Sequence, residues 1–405
     1  RLVLPVKKHC TDNAAMIAAE GLVQYRLGHF SPLSLNAEAS IPVVRSGGRS
    51  LICQGCPYRG PLFLYIFSGN AQTACDMGQR ILFPRQPRIV AVSTIAGTKE
   101  CEGIVGRYVE TALSDDMFGE STFEKAECKM LSHVIDGAIA NAKLMRDQVG
   151  MIVSGDLLNQ IISASFAARD FSVPFLGIYG ACSTMAESLA VAAAFVDGGY
   201  CKNAVAATGS HFASAERQYR YPLELGTTRP PQSQWTVTGA GAALVAGEGD
   251  GIRITSATLG KVVDFGITDV NNMGAAMAPA AADTILAHFR ETGEEPEAYD
   301  LIVTGDLGAL GSRILKDLTW EKGFDISENH VDCGEIVYNV LEDEFQGGSG
   351  AGCSAVVLNS YLHAKMMAGT IRRILFVATG ALLSTVSSGQ GESIPCIAHA
   401  VTLER

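Results

Sequence analysis

The chain has no apolar run long enough to cross a membrane as a helix. Such a helix needs roughly 18 to 20 residues, and Glu187 breaks the longest small-residue stretch while Arg59 interrupts the run around PLFLYIF. Any membrane role is therefore peripheral. An excess of positive charge is also missing, since 31 Lys and Arg stand against 42 Asp and Glu for a formal net charge of -11. Steering a polyanion over distance needs the opposite sign, which excludes nucleic acid or an anionic membrane surface as the main partner. The cysteines lack metal-ligand spacing except at Cys53 and Cys56, and nothing at the amino terminus resembles a signal peptide. Reduced thiols in a reducing, cytosolic compartment are the expectation.

What is present is apolar and orderly. With 405 residues, 47% hydrophobic and 18% charged, the chain can build two fused core-bearing units or one large α/β domain. Residues 1 to 76 show no sustained period and are punctuated by RSGGRS, CPYRGP and FPRQP, the last just beyond them. In STFEKAECKMLSHVIDGAIANAKL, Ser121 and Glu124 have the spacing of a capping box, and Ala126, Met130, Leu131, Val134, Ile135 and Ala138 recur at helical spacing. An amphipathic helix is predicted there. The runs GMIVSGD, VPFLGIYG and NAVAATG are almost wholly apolar, as strands buried on both faces of a mainly parallel sheet require.

The chain also repeats itself. MIVSGDLLNQI, YGACSTMAESL and NAVAATGS are answered in the same order by LIVTGDLGAL, GSGAGCSAVVL and RILFVATGA. Cys182 corresponds to Cys353, Thr208 to Thr379 and Asp156 to Asp306, with extra residues between the second-half motifs. Two such copies predict one pseudo-symmetric α/β body, because each copy's sheet needs cover from the other.

The turn GACS follows a predicted strand and precedes a helix, which puts the Cys182 thiol at a helix amino terminus. Unpaired N–H groups and the helix dipole there favour a thiolate and also make an anion site. The arrangement is the cysteine form of a strand-nucleophile-helix elbow. The alternative is a small buried residue that lets the helix approach the sheet, which is how Cys353 reads.

The segments GACSTMAESLAVAAAFVDGGY, ATGSHFASAERQYRYPLELG, MAPAAADT, TGDLGALGSRILKDL and SIPCIAHAVTLER resemble the stage V sporulation protein AD family over residues 77 to 405. The resemblance implies a thiolase-like fold in which two pseudo-symmetric βαβαβαββ halves, residues 77–250 and 251–405, form a five-layered α/β/α/β/α body. It implies a protein that binds dipicolinic acid or its calcium chelate without catalysis, supporting uptake into the developing spore and release at germination. Implied partners are spore membrane proteins of the same operon; the implied location is peripheral, on the cytoplasmic side of the forespore or spore inner membrane. No cofactor is implied. Superfamily members pair through a central strand, which would make a homodimer.

Cys182 occupies the position of the superfamily's acyl-accepting cysteine, so an acyl-CoA acyltransferase or condensing enzyme is the alternative function. Condensation needs His or Asn groups from the second half. The aligned turns carry Asp306 and Ser349 instead, and Cys396 lies near the place of a second thiolase cysteine without its glycine-rich surroundings. The candidate ligand-binding residues are Cys182, Asp156, Asn159, His211, Arg217 and Asp306, with Arg220 beside Arg217 in the same segment. Each has a structural alternative: Asp156 as a helix cap, Arg217 paired with Glu216 or Glu224, His211 as a hydrogen-bonded strand end.

Residues 1–43, with HCTDNAAMIAAEGLVQYRLGHFSPLSLNA, resemble the carboxyl-terminal tail of the tRNA threonylcarbamoyladenosine-forming transferase family. That family's TDN aspartate, here Asp12, is a metal ligand, but its partner histidines have no counterpart here. LICQGCPYRGPLF is similar to the CxGCPxRG stretch of 2-oxoacid:ferredoxin oxidoreductases. Residues 1–76 therefore read as a fused, non-native extension, poorly ordered and dispensable.

Overall fold

The computed structural model describes residues 78–405 apart from 221–222, 224–225, 227 and 339–345. The readings placed on residues 1–76, including Asp12 and the pair Cys53 and Cys56, lie outside the described residues, as does Glu224.

Ten strands carry the architecture. The first five are β1 (Arg88–Ala96), β2 (Ile152–Gly155), β3 (Phe175–Gly177), β4 (Asn203–Ser210) and β5 (Gly239–Ala246). The second five are β6 (Ile252–Thr258), β7 (Leu301–Thr304), β8 (His330–Asp332), β9 (Arg373–Ala381) and β10 (Cys396–Glu404). Their spatial orders, β3-β2-β4-β5-β1 and β8-β7-β9-β10-β6, agree position for position. Directions agree too: β2 runs parallel to β3 and β4, and β7 to β8 and β9. β5 is antiparallel to β4 and β1, as β10 is to β9 and β6. The two fives meet where Arg88 and Ile89 pair with Arg253 and Ile252.

The helices supply the remaining layers. They are α1 (Phe123–Asn141), α2 (Ile162–Arg169), α3 (Thr184–Asp197), α4 (Phe212–Tyr219), α5 (Met273–Thr292), α6 (Gly308–Trp320) and α7 (Ala351–Val357). α1 covers β1, β5 and β4 from outside, with α2 beside it, while α5 covers β9 and β10 with α6 packed on it. α3 touches β2, β4 and β5 on one side and β9 and β10 on the other, so it lies between the sheets; α7 packs on α3, β4 and β5. This is the α/β/α/β/α stacking of the thiolase-like fold expected above. The wholly apolar strands follow from it, because β2 has every residue buried. Met185 and Leu189 of α3 are fully buried, each worth about 1.5–3 kcal/mol relative to exposure.

The cap of α1 differs from expectation by one residue. Thr122, with extended backbone, accepts the Lys125 N–H at 3.3 Å, whereas Ser121 lies outside the helix and Glu124 turns toward Arg217. The periodicity placed the helix correctly, and the two adjacent hydroxyls made its cap ambiguous.

Gly380 at the end of β9 lies against the backbone before α3: a Cβ there would come within 2.1 Å of the Gly180 carbonyl oxygen. Gly380→Ala should therefore force the two halves apart at this point and cost about 1–3 kcal/mol, measured by urea unfolding. An unchanged midpoint would show that the approach is slack.

Candidate functional site

The sharpest local feature is the turn between β3 and α3. Ala181 has φ 50, left-handed backbone that a non-glycine residue adopts at a cost of about 1–3 kcal/mol. Hydroxyls hold it there. Ser183 Oγ donates to the Gly180 carbonyl at 2.6 Å, and Thr184 Oγ1 donates to the Ala181 carbonyl at 2.6 Å. These are the sequence-visible Ser and Thr of GACST. The turn thus has the strained geometry of a nucleophile elbow, with Cys182 at its apex and 5% exposed.

The electrostatics do not make a nucleophile. Burial pushes the Cys182 thiol well above its ordinary range, and the Asp306 carboxylate beside it pushes further, while the Gly350 amide and the Arg220 cation oppose the shift. This corrects the expectation that the helix amino terminus favours a thiolate; desolvation and a neighbouring anion outweigh the dipole. Asp306 itself is fully buried and pushed up to about 6 by burial. Moving the thiol proton onto that carboxyl runs uphill, because burial holds the thiol, already the weaker acid, above its ordinary range.

Asp306 is held in place from three sides. Its Oδ2 accepts the Gly350 N–H at 2.9 Å and the Ser349 hydroxyl at 3.3 Å, and its Oδ1 accepts the Thr379 hydroxyl at 2.8 Å. Among the described residues, the histidines with hydrogen bonds have other partners: His133 on Thr111, His211 on the Asp116 carbonyl, His288 on Thr258 and Tyr299, His330 on Thr304 and His399 on the Gly260 amide. The group presented to the thiol by the second half is a carboxylate.

The other candidate residues separate. Asp156 is fully buried and accepts the Leu158 and Ala164 N–H groups, each at 2.7 Å, so both oxygens serve the turn into α2. Its repeat counterpart does not share that setting: in the second half Asp332 takes the capping position, accepting the Leu307 and Gly308 N–H groups at 2.9 Å, which frees Asp306 to face Cys182. His211 is the N-cap of α4, its Nδ1 accepting the Ala213 N–H at 3.1 Å, so Nε2 carries the proton donated to the Asp116 carbonyl. Arg217 pairs with Glu124 on the outer surface, whereas Arg220 is buried in a network with Glu216 and Arg229 and is the arginine that acts on the thiol. Asn159 is exposed on the rim of a cleft. Cys353 is fully buried, and its thiol donates to the Gly305 carbonyl.

Two spaces adjoin the turn. Against Cys182 lies a space of about 10 Å³, bounded by Leu157, Tyr179, Ala181, Tyr219, Met273, Ala381 and Leu383. That is room for roughly one water. Outside, a cleft of about 770 Å³ is lined by 158–161 and 177–179 on one side and by Leu382, Leu383, Ser384 and Ser387 on the other. Tyr179 and Leu383 line both. Sequence reasoning missed Gln160, Tyr179, Leu383 and the two serines as a lining. The available signal was the repeat, since ALLS follows ATG of the second copy as HFA follows ATGS of the first. Among the described residues, no group of three or more His, Cys, Asp or Glu is placed to hold a metal ion, and no helix is long and apolar enough to cross a membrane.

A sequence model of stage V sporulation protein AD matches residues 78–404. Stage V sporulation protein AD of Bacillus subtilis (strain 168) is 45% identical over 315 residues, which are 78% of this chain and 93% of that protein. A separate stretch is similar to tRNA N6-adenosine threonylcarbamoyltransferase of Geobacillus kaustophilus (strain HTA426), 54% identical over 43 residues that make up 11% of this chain and 13% of that enzyme. Cerulenin-bound OleA of Xanthomonas campestris superposes with TM-score 0.53 at 14% identity, covering 80% of this chain and 100% of that chain. 3-Oxoacyl-(acyl-carrier-protein) synthase III of Aquifex aeolicus superposes with TM-score 0.50 at 14% identity, covering 79% and 100%. At such identity these structures speak for the fold alone.

Two substitutions test the roles of the repeated aspartates. Asp156→Ala leaves two backbone N–H groups without acceptors and should cost about 2 kcal/mol in urea unfolding. Asp306 holds its proton more tightly in the folded chain, so its stabilisation is complete in acid and is lost as pH rises through about 6. Wild type should therefore lose roughly 1 kcal/mol relative to Asp306→Asn between about pH 5 and about pH 7.5. A difference that does not change with pH would mean that this carboxyl titrates normally.

Proposed function

The chain belongs to the stage V sporulation protein AD family, and we propose that within sporulation it acts as a non-catalytic binding protein for dipicolinic acid or its calcium chelate. The observation that carries the reading is the pairing of Cys182 with Asp306. A thiol kept protonated by burial and by an adjacent carboxylate is unfit to accept an acyl group, and a carboxylate in that place opposes an enolate instead of stabilising it. The scaffold keeps its elbow and a cleft of about 770 Å³, a volume suited to a small molecule.

The lining of that cleft consists of apolar side chains, two amides, two serines and a tyrosine, all of them uncharged. A free dianion entering it would lose hydration without meeting a cation in the lining. The charge-neutral calcium chelate avoids that cost, which makes it the favoured form of the ligand. In this reading the protein passes its ligand to spore membrane proteins from a peripheral position.

The left-handed Ala181 and the apical Cys182 favour one rival, an acyltransferase that forms a Cys182 thioester. Titration calorimetry of the full chain with dipicolinate, with and without equimolar calcium, should give saturable heat. Incubation with acyl-CoA should leave the protein mass unchanged. An acyl adduct that disappears in Cys182→Ala would establish the rival, and the lack of saturable heat at millimolar ligand would remove the binding function.

A further inference from the structure

We infer that Glu100 and Asp116 form a proton-held latch in the first half: a proton between their two carboxyl groups fastens the loop of residues 113–119 to the body, and loss of that proton frees the loop. The latch is independent of any ligand.

Geometry is the first argument. Glu100 lies in the short helix Thr98–Glu102 and is 2% exposed. Its Oε1 accepts the Thr238 N–H at 2.9 Å and also the Tyr338 hydroxyl, which comes from the second half. Its Oε2 is turned toward the buried Gly97. A Cβ built on that glycine would stand 2.5 Å from Glu100 Oε2 and 3.1 Å from Asp116 Oδ1, so the two carboxyl groups flank a single point. Two carboxylates so placed repel, whereas a carboxyl and a carboxylate share a proton in a charge-assisted hydrogen bond.

The titratable and charged groups around the pair are few. They are Tyr338 from the second half, His211 at the start of α4, Lys99 and Cys101 of the short helix, and Glu124 with Arg217 near His211. Glu124 and Arg217 pair with each other, and the Lys99 ammonium lies over the Trp235 ring at 4.7 Å and the Tyr338 ring at 5.8 Å.

Energetics is the second argument. Burial pushes the Glu100 carboxyl up to about 7, and Asp116 pushes the same way against the Tyr338 and Thr238 donors. A carboxyl that holds its proton more tightly in the folded chain stabilises fully in acid, and that stabilisation is lost as pH rises through about 7. The loss falls on the loop. Glu100 stays tied by Thr238 and Tyr338, whereas Asp116 is only half-buried. The loop is fastened by the Leu113 N–H on the Ala96 carbonyl at 2.9 Å, by His211 on the Asp116 carbonyl and by Lys129 Nζ on the Phe118 carbonyl, both at 2.8 Å. Phe118 has φ 50, a left-handed backbone whose cost the closed loop has to offset.

Hydrogen–deuterium exchange of the full chain tests the latch. Peptides covering residues 113–119 are compared at about pH 6 and about pH 8, after correction for the intrinsic exchange rate. Protection of this loop in wild type should fall about tenfold over that interval, as follows when one carboxyl titrates near 7 in the closed loop and in its ordinary range in the open one. Glu100→Gln, whose amide donates to Asp116 as the protonated acid does, should keep the loop protected at both pH values. Asp116→Asn removes the repulsion and should hold the fall within about threefold. Protection in wild type that does not change with pH would overturn the latch, and so would a fall as large as wild type's in either variant. If Glu100→Gln does not fold, Asp116→Asn, at the less buried position, decides the matter.

Discussion

The contact between the Cys182 thiol and the buried Asp306 carboxylate decides what this fold can do. An elbow gives a sulfur two things, an exposed position and a field that favours its anion. Here side chains of both halves enclose the sulfur, and the second half sets a carboxylate beside it. Its carboxylate is locked by the Gly350 amide and by the hydroxyls of Ser349 and Thr379, so it cannot swing away. Burial of the pair makes both members weaker acids, which leaves a proton on the sulfur and makes the site a wall.

This outcome depends on a division of labour between repeated positions. Asp156 and Asp306 follow the same strand in the two copies and read alike as letters. In the first copy the aspartate caps the entry to α2 with both oxygens. In the second, Asp332 at the end of β8 reaches across to cap the entry to α6, and Asp306 is released to turn inward. Duplication supplies two equivalent aspartates, and one added acidic side chain on a neighbouring strand is enough to give them different chemistry.

The fold was legible because its signals are repeated and cooperative. Strands with no polar alternation require cover on both faces, and a doubled motif order requires two similar halves, so MIVSGD and LIVTGD give a pseudo-symmetric α/β body, while the five-layered thiolase-like stacking came from the resemblance. The elbow was legible as well, since glycine, alanine and two hydroxyl residues around a cysteine describe the turn that forms. The side-chain partners were harder to read. Arg217 and Arg220 are three residues apart, and the end of α4 between them sends one to Glu124 on the surface and the other into the interior. His211 could be read as facing the pocket until the Asp116 carbonyl, from a distant loop, claimed its Nε2 proton. Long-range partners of this kind leave no periodic trace.

The cleft was the least legible part, and the reason is general. It is built from the ends of strands and the loops after them, 158–161, 177–179 and 382–387, which come together only when the two copies are stacked. None of these segments carries a charged side chain at the lining, so none looks like a site when read singly. A charged ligand is usually sought by its counter-ions, which drew attention to Asp156 and Arg217. A cleft that presents a ring, two amides and apolar walls suits, in the function proposed above, a ligand whose charge is already cancelled. A protonated sulfur and an uncharged lining are therefore consistent with the non-catalytic reading proposed above, in which the site has no developing negative charge to stabilise and no need of cations at its mouth.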